Sequence, residues 1–261
     1  MKFFKSGPGQ AEMPFLDHLE ELRWRILWSL LAVIGGSVIG YFVVTELHVL
    51  EWLIDPVRPY LPDGKLGTLG PMDPFLLVLK LTLTVGFILA FPVVVAQLWA
   101  FISPALHTRE KRAIVPALYL GLILFAAGVA LAYYLVLPMT LEFGQSFLSE
   151  SLKPNLIAAN YLSLVVKILV AFGAVFELPV VILVLASLGL VSAKFLASKR
   201  RMAIAGSAIL AALLTPGDVI TVTIFMMGPL ILLYEMSIGL ARLVERRRAR
   251  NALQEPMPEA S

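Results

Sequence analysis

The sequence predicts an all-α integral membrane protein of six transmembrane helices, and three observations carry that expectation. Of 261 residues, 59% are hydrophobic and 15% charged, with a mean hydropathy of +0.87; a soluble domain is roughly half apolar and a quarter charged. The apolar residues fall into runs long enough to cross a hydrocarbon core, which takes about 20 residues at 1.5 Å of rise each. Lys and Arg gather between alternate runs, as they do in the loops on one side of a bilayer.

Taken in order, the apolar segments run over about 24–46, 74–102, 113–137, 160–190, 202–215 and 219–241. Ahead of the first, Phe15, Leu19, Leu22 and Ile26 recur at helical spacing. That stripe predicts an amphipathic segment over 12–24 which lies along the inner surface and bends into the first span. No long apolar stretch or small-residue cleavage site marks a removable leader, so the first run reads as a retained anchor. The last two spans are short and are separated only by the turn-forming Thr215, Pro216, Gly217 and Asp218; a single re-entrant hairpin is the alternative there. The polar tail over 251–261 reads as disordered, which leaves one membrane domain over 1–250.

Sixteen of the 21 Lys and Arg residues lie before the first span, between the second and third, between the fourth and fifth, or after the sixth. Only Arg58, Lys65 and Lys153 fall in the other connections, while Lys80 and Lys167 sit inside spans near their outer ends, where they can snorkel. This asymmetry places both termini in the cytoplasm. It also explains a pI near 9.2 without nucleic acid, because no single basic polar surface forms.

Several classes of chemistry are excluded. With no cysteine there is no disulfide, thiolate metal site or Cys nucleophile. His18, His48 and His107 are too scattered for a metal site, and no phosphate loop, H-E-x-x-H or G-x-S-x-G is present. Neither catalysis nor a bound cofactor is expected.

Three places carry candidate chemistry. In PFLDHLEELRWRI, the acids Asp17, Glu20 and Glu21 oppose attraction to an anionic inner leaflet, so a plain surface helix does not account for them. In WAFISPALHTREKR, Glu110 stands among Arg109, Lys111 and Arg112. A loop carboxylate there is either a weakly paired solvated charge or an acceptor for bidentate hydrogen bonding by a guanidinium. Glu177, two residues before Pro179, lies near the middle of the fourth span, where burying a carboxylate costs several kcal/mol unless it is protonated, hydrated or paired. Pro179 predicts a kink. Glu235 is a second intramembrane acid, and Gly36 with Gly40 forms a G-x-x-x-G that suits close helix packing.

At these residues the sequence resembles a known family, TatC, the multi-spanning component of the twin-arginine protein translocase. The resemblance runs from about Phe15 to Arg242 through HLEELR at 18–23, WAFISPALHTREKR at 99–112, FELPV at 176–180 and LLTPGD at 213–218. It implies a cup-shaped protein of the bacterial or archaeal cytoplasmic membrane. Such a protein binds signal peptides carrying two consecutive arginines and takes part in moving folded proteins across the membrane, driven by the proton-motive force. By the resemblance, Glu21 and Glu110 are the arginine-binding carboxylates, with Phe101 and Arg23 shaping the same surface. Glu177 inside the concave face, Pro56 in the outer loop and Asp218 in the outer turn are tied to translocation or partner docking. The implied partners are single-span TatA-type and TatB-type proteins, folded cargo and further copies of the chain. Val222 stands where some relatives carry a Gln, which removes one polar docking contact. The competing classes are an ion-coupled small-molecule transporter using Glu177, which lacks an internal repeat and a second midplane charge, and an intramembrane enzyme, which lacks a catalytic constellation.

Overall fold

The computed structural model describes residues 15–61, 64–102, 114–146, 156–214 and 220–252. Helices dominate these segments, and no strand occurs among the described residues beyond an isolated bridge between Gly67 and Ile157. Among the described residues, five helical stretches are long and apolar enough to cross a bilayer: Asp17–Glu46, Asp73–Ile102, Pro116–Gln145, Ala158–Ser187 and Met226–Arg247.

The first helix, α1 (Phe15–Glu46), is continuous. The amphipathic segment expected over 12–24 is therefore no separate element bent into the span, at least from Phe15 on, because residues 16–34 contain neither Gly nor Pro to break the helix. After α1 the chain turns through His48, which is left-handed with φ 50°. It continues as α2 (Val49–Ile54) and a 3-10 turn over Asp55–Tyr60. This cap is anchored by Val57, which is fully buried, and by two tyrosines. Tyr161 donates to the Leu53 carbonyl at 2.6 Å and Tyr133 to that of Trp52 at 2.5 Å, satisfying acceptors that a helix end leaves open.

Helix α3 (Asp73–Ile102) packs along α1, and the G-x-x-x-G sets their separation. A Cβ added at Gly36 would stand 2.5 Å from the Gly86 carbonyl oxygen, and one at Gly40 would stand 2.8 Å from that of Thr82. Backbones come this close only where side chains are missing.

The third span is longer than its apolar run. Helix α4 (Ile114–Leu131) continues through a π-helical turn over Ala132–Val136 into α5 (Leu137–Ser146). The apolar run ends near residue 137, and Pro138 follows it. The widened turn accommodates a proline ring that would otherwise meet the carbonyl one turn back, and the helix resumes with Pro138 in its first turn. The fourth span is interrupted as expected, with α6 (Ala158–Phe176) ending and α7 (Leu178–Ser187) beginning at Glu177.

The chain ends in α8 (Ala193–Ser198), α9 (Arg200–Leu214) and α10 (Ile220–Ala252). With 15 residues, α9, which corresponds to the fifth apolar segment, rises roughly 22 Å, less than a bilayer core, and is not among the five stretches long enough to cross one. Its successor is not short. It has 33 residues, because good helix formers without Gly or Pro continue from Leu240 past the apolar stretch. Residues 251 and 252, taken as part of the tail, are helical, and 253–261 lie outside the described residues. Pairings α1–α3, α4–α6, α7–α10 and α9–α10 build the bundle. The main core gathers around Phe172, Leu162, Val165 and Leu81.

Candidate functional site

Near the start of α1, Glu21 is held by a residue one turn along. Arg25 donates to its Oε1 from Nη2 at 2.8 Å and from Nε at 3.3 Å, and uses Nη1 to reach the side-chain oxygen of Gln97 on α3 at 3.1 Å. The carboxylate is thus fixed across two helices. Its other oxygen, Oε2, is buried and has no hydrogen-bond partner among the described residues. His18 Nδ1 lies 3.9 Å from it, beyond hydrogen-bond range. His18 in turn stacks on Phe101 at the end of α3, with ring centroids 4.3 Å apart and planes 12° from parallel.

The structure therefore brings Glu21 and Phe101 into one place. Arg23 is exposed, with no ion-pair partner among the described residues. Glu110 and Asp218 lie outside the described residues. Sequence reasoning did not single out Arg25 or Gln97 for this site and set His18 aside. The i, i+4 spacing of Glu21 and Arg25 was a readable signal; nothing local pointed to Gln97, whose place depends on how α3 packs.

Glu177 occupies the break between α6 and α7, serving as C-cap of one and N-cap of the other with φ −77° and ψ −10°. Its carbonyl accepts from Val180 and Val181 N–H, each at 3.0 Å, so the helix restarts beyond the proline. The side chain lies against α4, where a Cβ on Gly121 would come within 2.9 Å of Oε2. A missing side chain makes room for the carboxylate, whose Oε1 is buried without a partner among the described residues. No contact among the described residues joins Glu177 to Glu21.

Along α6, Asn160, Ser163 and Lys167 line an open groove of about 800 Å³ that Leu213 of α9 bounds. Lys80 does more than snorkel: its Nζ donates to Ser163 Oγ at 2.6 Å, tying α3 to α6. Glu235, unpaired by sequence alone, forms a two-pronged ion pair with Arg200 at 2.6 and 2.8 Å, joining α9 to α10. Pro56 lies half-buried in the 3-10 turn of the cap. Among the described residues no group of His, Cys, Asp and Glu could hold a metal ion.

A family profile described as "Sec-independent protein translocase protein (TatC)" matches residues 17–229. The chain belongs to the TatC family. It is 40% identical over 238 residues to the Sec-independent protein translocase protein TatC of Aquifex aeolicus (strain VF5), covering 90% of this chain and 98% of that one. It is 36% identical over 233 residues to the protein of the same name from Escherichia coli (strain K12), covering 88% of each. A solved structure, "Crystal Structure of Twin Arginine Translocase Receptor- TatC", superposes with a TM-score of 0.72 at 39% identity, covering 87% of this chain and 99% of that chain. The family fold is thus that of a multi-pass, all-α membrane protein, and the shared name is that of a translocase component, a transport role rather than a catalytic one.

Proposed function

We propose that this chain is the receptor for twin-arginine signal peptides in its translocase, with the recognition site at the Glu21 end of the bundle on the cytoplasmic side. The observation that carries the proposal is the state of the Glu21 carboxylate: Oε1 is occupied by Arg25 while Oε2, beside the His18–Phe101 stack, is buried without a partner among the described residues. A buried acceptor left unsatisfied costs free energy until a donor arrives, and a guanidinium supplies the geometry that a carboxylate pairs with best. Glu110 is the second arginine-binding carboxylate and Arg23 the exposed cation at the mouth of the site. The groove along α6 takes the apolar part of the signal. Glu177, Pro56 and Asp218 serve translocation and the docking of single-span TatA-type and TatB-type partners, transport draws on the proton-motive force, and copies of the chain associate in the receptor complex. Both termini face the cytoplasm of a bacterial or archaeal-type cell, an orientation that the distribution of Lys and Arg supports.

The test is site-specific photocrosslinking of a twin-arginine signal peptide to the purified full chain, with probes near Glu21, near Glu110 and near Pro56. Crosslinks at the first two positions that vanish when the peptide's arginines become lysines are the expected result. Crosslinking indifferent to that exchange, or none at either position, overturns the proposal.

A further inference from the structure

The far end of α10 carries a run of arginines that the translocation reading leaves unused. Arg242, Arg246, Arg247 and Arg250 are exposed and have no acidic partner among the described residues. The acid in their midst is turned away: Glu245 Oε1 accepts from the Ala193 N–H at the start of α8, at 2.8 Å. A positive-inside count explains why arginines are here, but not the surface on which they stand.

That surface has a defined relief. Leu240 and Leu243 form a ridge with a depression on each side. One, of about 180 Å³, is walled by Pro116, Ala117 and Leu120 of α4 and Leu183 of α7, with Arg247 at its mouth. The other, of about 450 Å³, lies over Met236 and Gly239, with Arg242 and Arg246 at its edge. The apolar floors lie within the stretch able to cross the bilayer, Met226–Arg247, and Arg246 and Arg247 stand at its last positions, at headgroup depth.

We infer that this end of α10 is a binding site for one anionic phospholipid, whose two acyl chains straddle the Leu240–Leu243 ridge and whose phosphate is held between Arg246 and Arg247. Two chains joined at one phosphate match two apolar depressions whose cationic rims converge. Guanidinium groups are suited to phosphate, and basic clusters just beyond a transmembrane helix attract anionic lipid. The occupant is a lipid rather than a free phosphate because depressions with apolar floors flank the cations. This site lies apart from the Glu21 recognition site and does not depend on that reading.

The experiment uses the full-length protein in detergent, titrated with phosphatidylglycerol or phosphatidylcholine of identical chains, with retained lipid counted by native mass spectrometry. Phosphatidylglycerol is expected to be retained preferentially. Arg246→Gln with Arg247→Gln should lower its retention by about fivefold per arginine, as expected if each contributes about 1 kcal/mol. Arg246→Lys with Arg247→Lys should keep most of the preference and shows that the folded helix survives. Leu243→Asn, at a position 54% exposed, should reduce retention with the arginines intact. Equal retention of the two lipids overturns the inference, as does an undiminished preference in the double Gln variant. Displacement by soluble glycerol phosphate, which would reveal a bare anion site, or a single-span protein copurifying in the lipid's place also overturns it.

Discussion

At the scale of single residues, Glu21 shows how a carboxylate becomes specific. Arg25 is braced by Gln97 and fixes Oε1, so in the proposed receptor role an incoming guanidinium would meet one oriented oxygen instead of a freely rotating anion. Arg25→Gln is therefore predicted to weaken binding of a twin-arginine peptide about tenfold, in keeping with the ~1.5 to 3 kcal/mol typical of hydrogen bonds to charged groups. The same change should narrow the preference for arginine over lysine. Fluorescence anisotropy with paired peptides measures both; an unchanged preference would show that the brace contributes nothing to selectivity. Glu177 illustrates the other way to house an acid, a cavity left by Gly121. From sequence, Glu21 stands out as an acid that opposes an anionic inner leaflet and Glu177 as a carboxylate at a depth where burial is expensive. Their surroundings were not legible there, since Gln97 and Gly121 belong to other helices.

At the scale of elements, α1 depends on one neighbour. Only 6% of its most apolar window is buried, and its contacts are chiefly those with α3. Because the site is divided between these two helices, their separation sets its geometry. Gly86→Val is predicted to push them apart, costing about 1 to 3 kcal/mol as overpacking does, and to weaken peptide binding together with stability. Gly35→Val serves as the control, since nothing lies within 4 Å of a Cβ placed there. Thermal unfolding in detergent, read beside binding, tests this; equal midpoints for the two variants would contradict it. At the other end of the chain, the Arg200–Glu235 pair holds the short α9 against α10, although at 46% exposure each such a pair contributes only about 1 kcal/mol or less in water. The elements themselves were readable from apolar period and length. The exceptions have local causes: a π-helical turn carries the third span past Pro138, and strong helix formers carry α10 beyond its apolar stretch.

At the scale of the whole molecule, the charge asymmetry makes a prediction that the bundle's geometry alone does not. Because the chain has no cysteine, single cysteines report without background. In intact cells, a membrane-impermeant thiol reagent should label a cysteine at position 65 and leave one at position 194 unlabelled until the membrane is opened; the reverse pattern would invert the topology. The Lys65 region faces the same side as the α2 cap, while Lys194 sits in α8 beside the arginine end of α10.

By itself, the sequence determined the solvent, the order and approximate bounds of the spans, the break just before Pro179 and the family. Each of these follows from local composition, helical period or a contiguous motif, and none requires knowing which helix touches which. Only the tertiary structure decided that Arg25 and Gln97 hold Glu21, that Gly121 makes room for Glu177, that Lys80 reaches Ser163 and that Glu235 has Arg200 as its partner. The physical reason is that these partners, apart from the one-turn pairing of Arg25 with Glu21, come from separate helices. Their choice is settled by helix rotation and close approach in packing, which hydropathy does not encode.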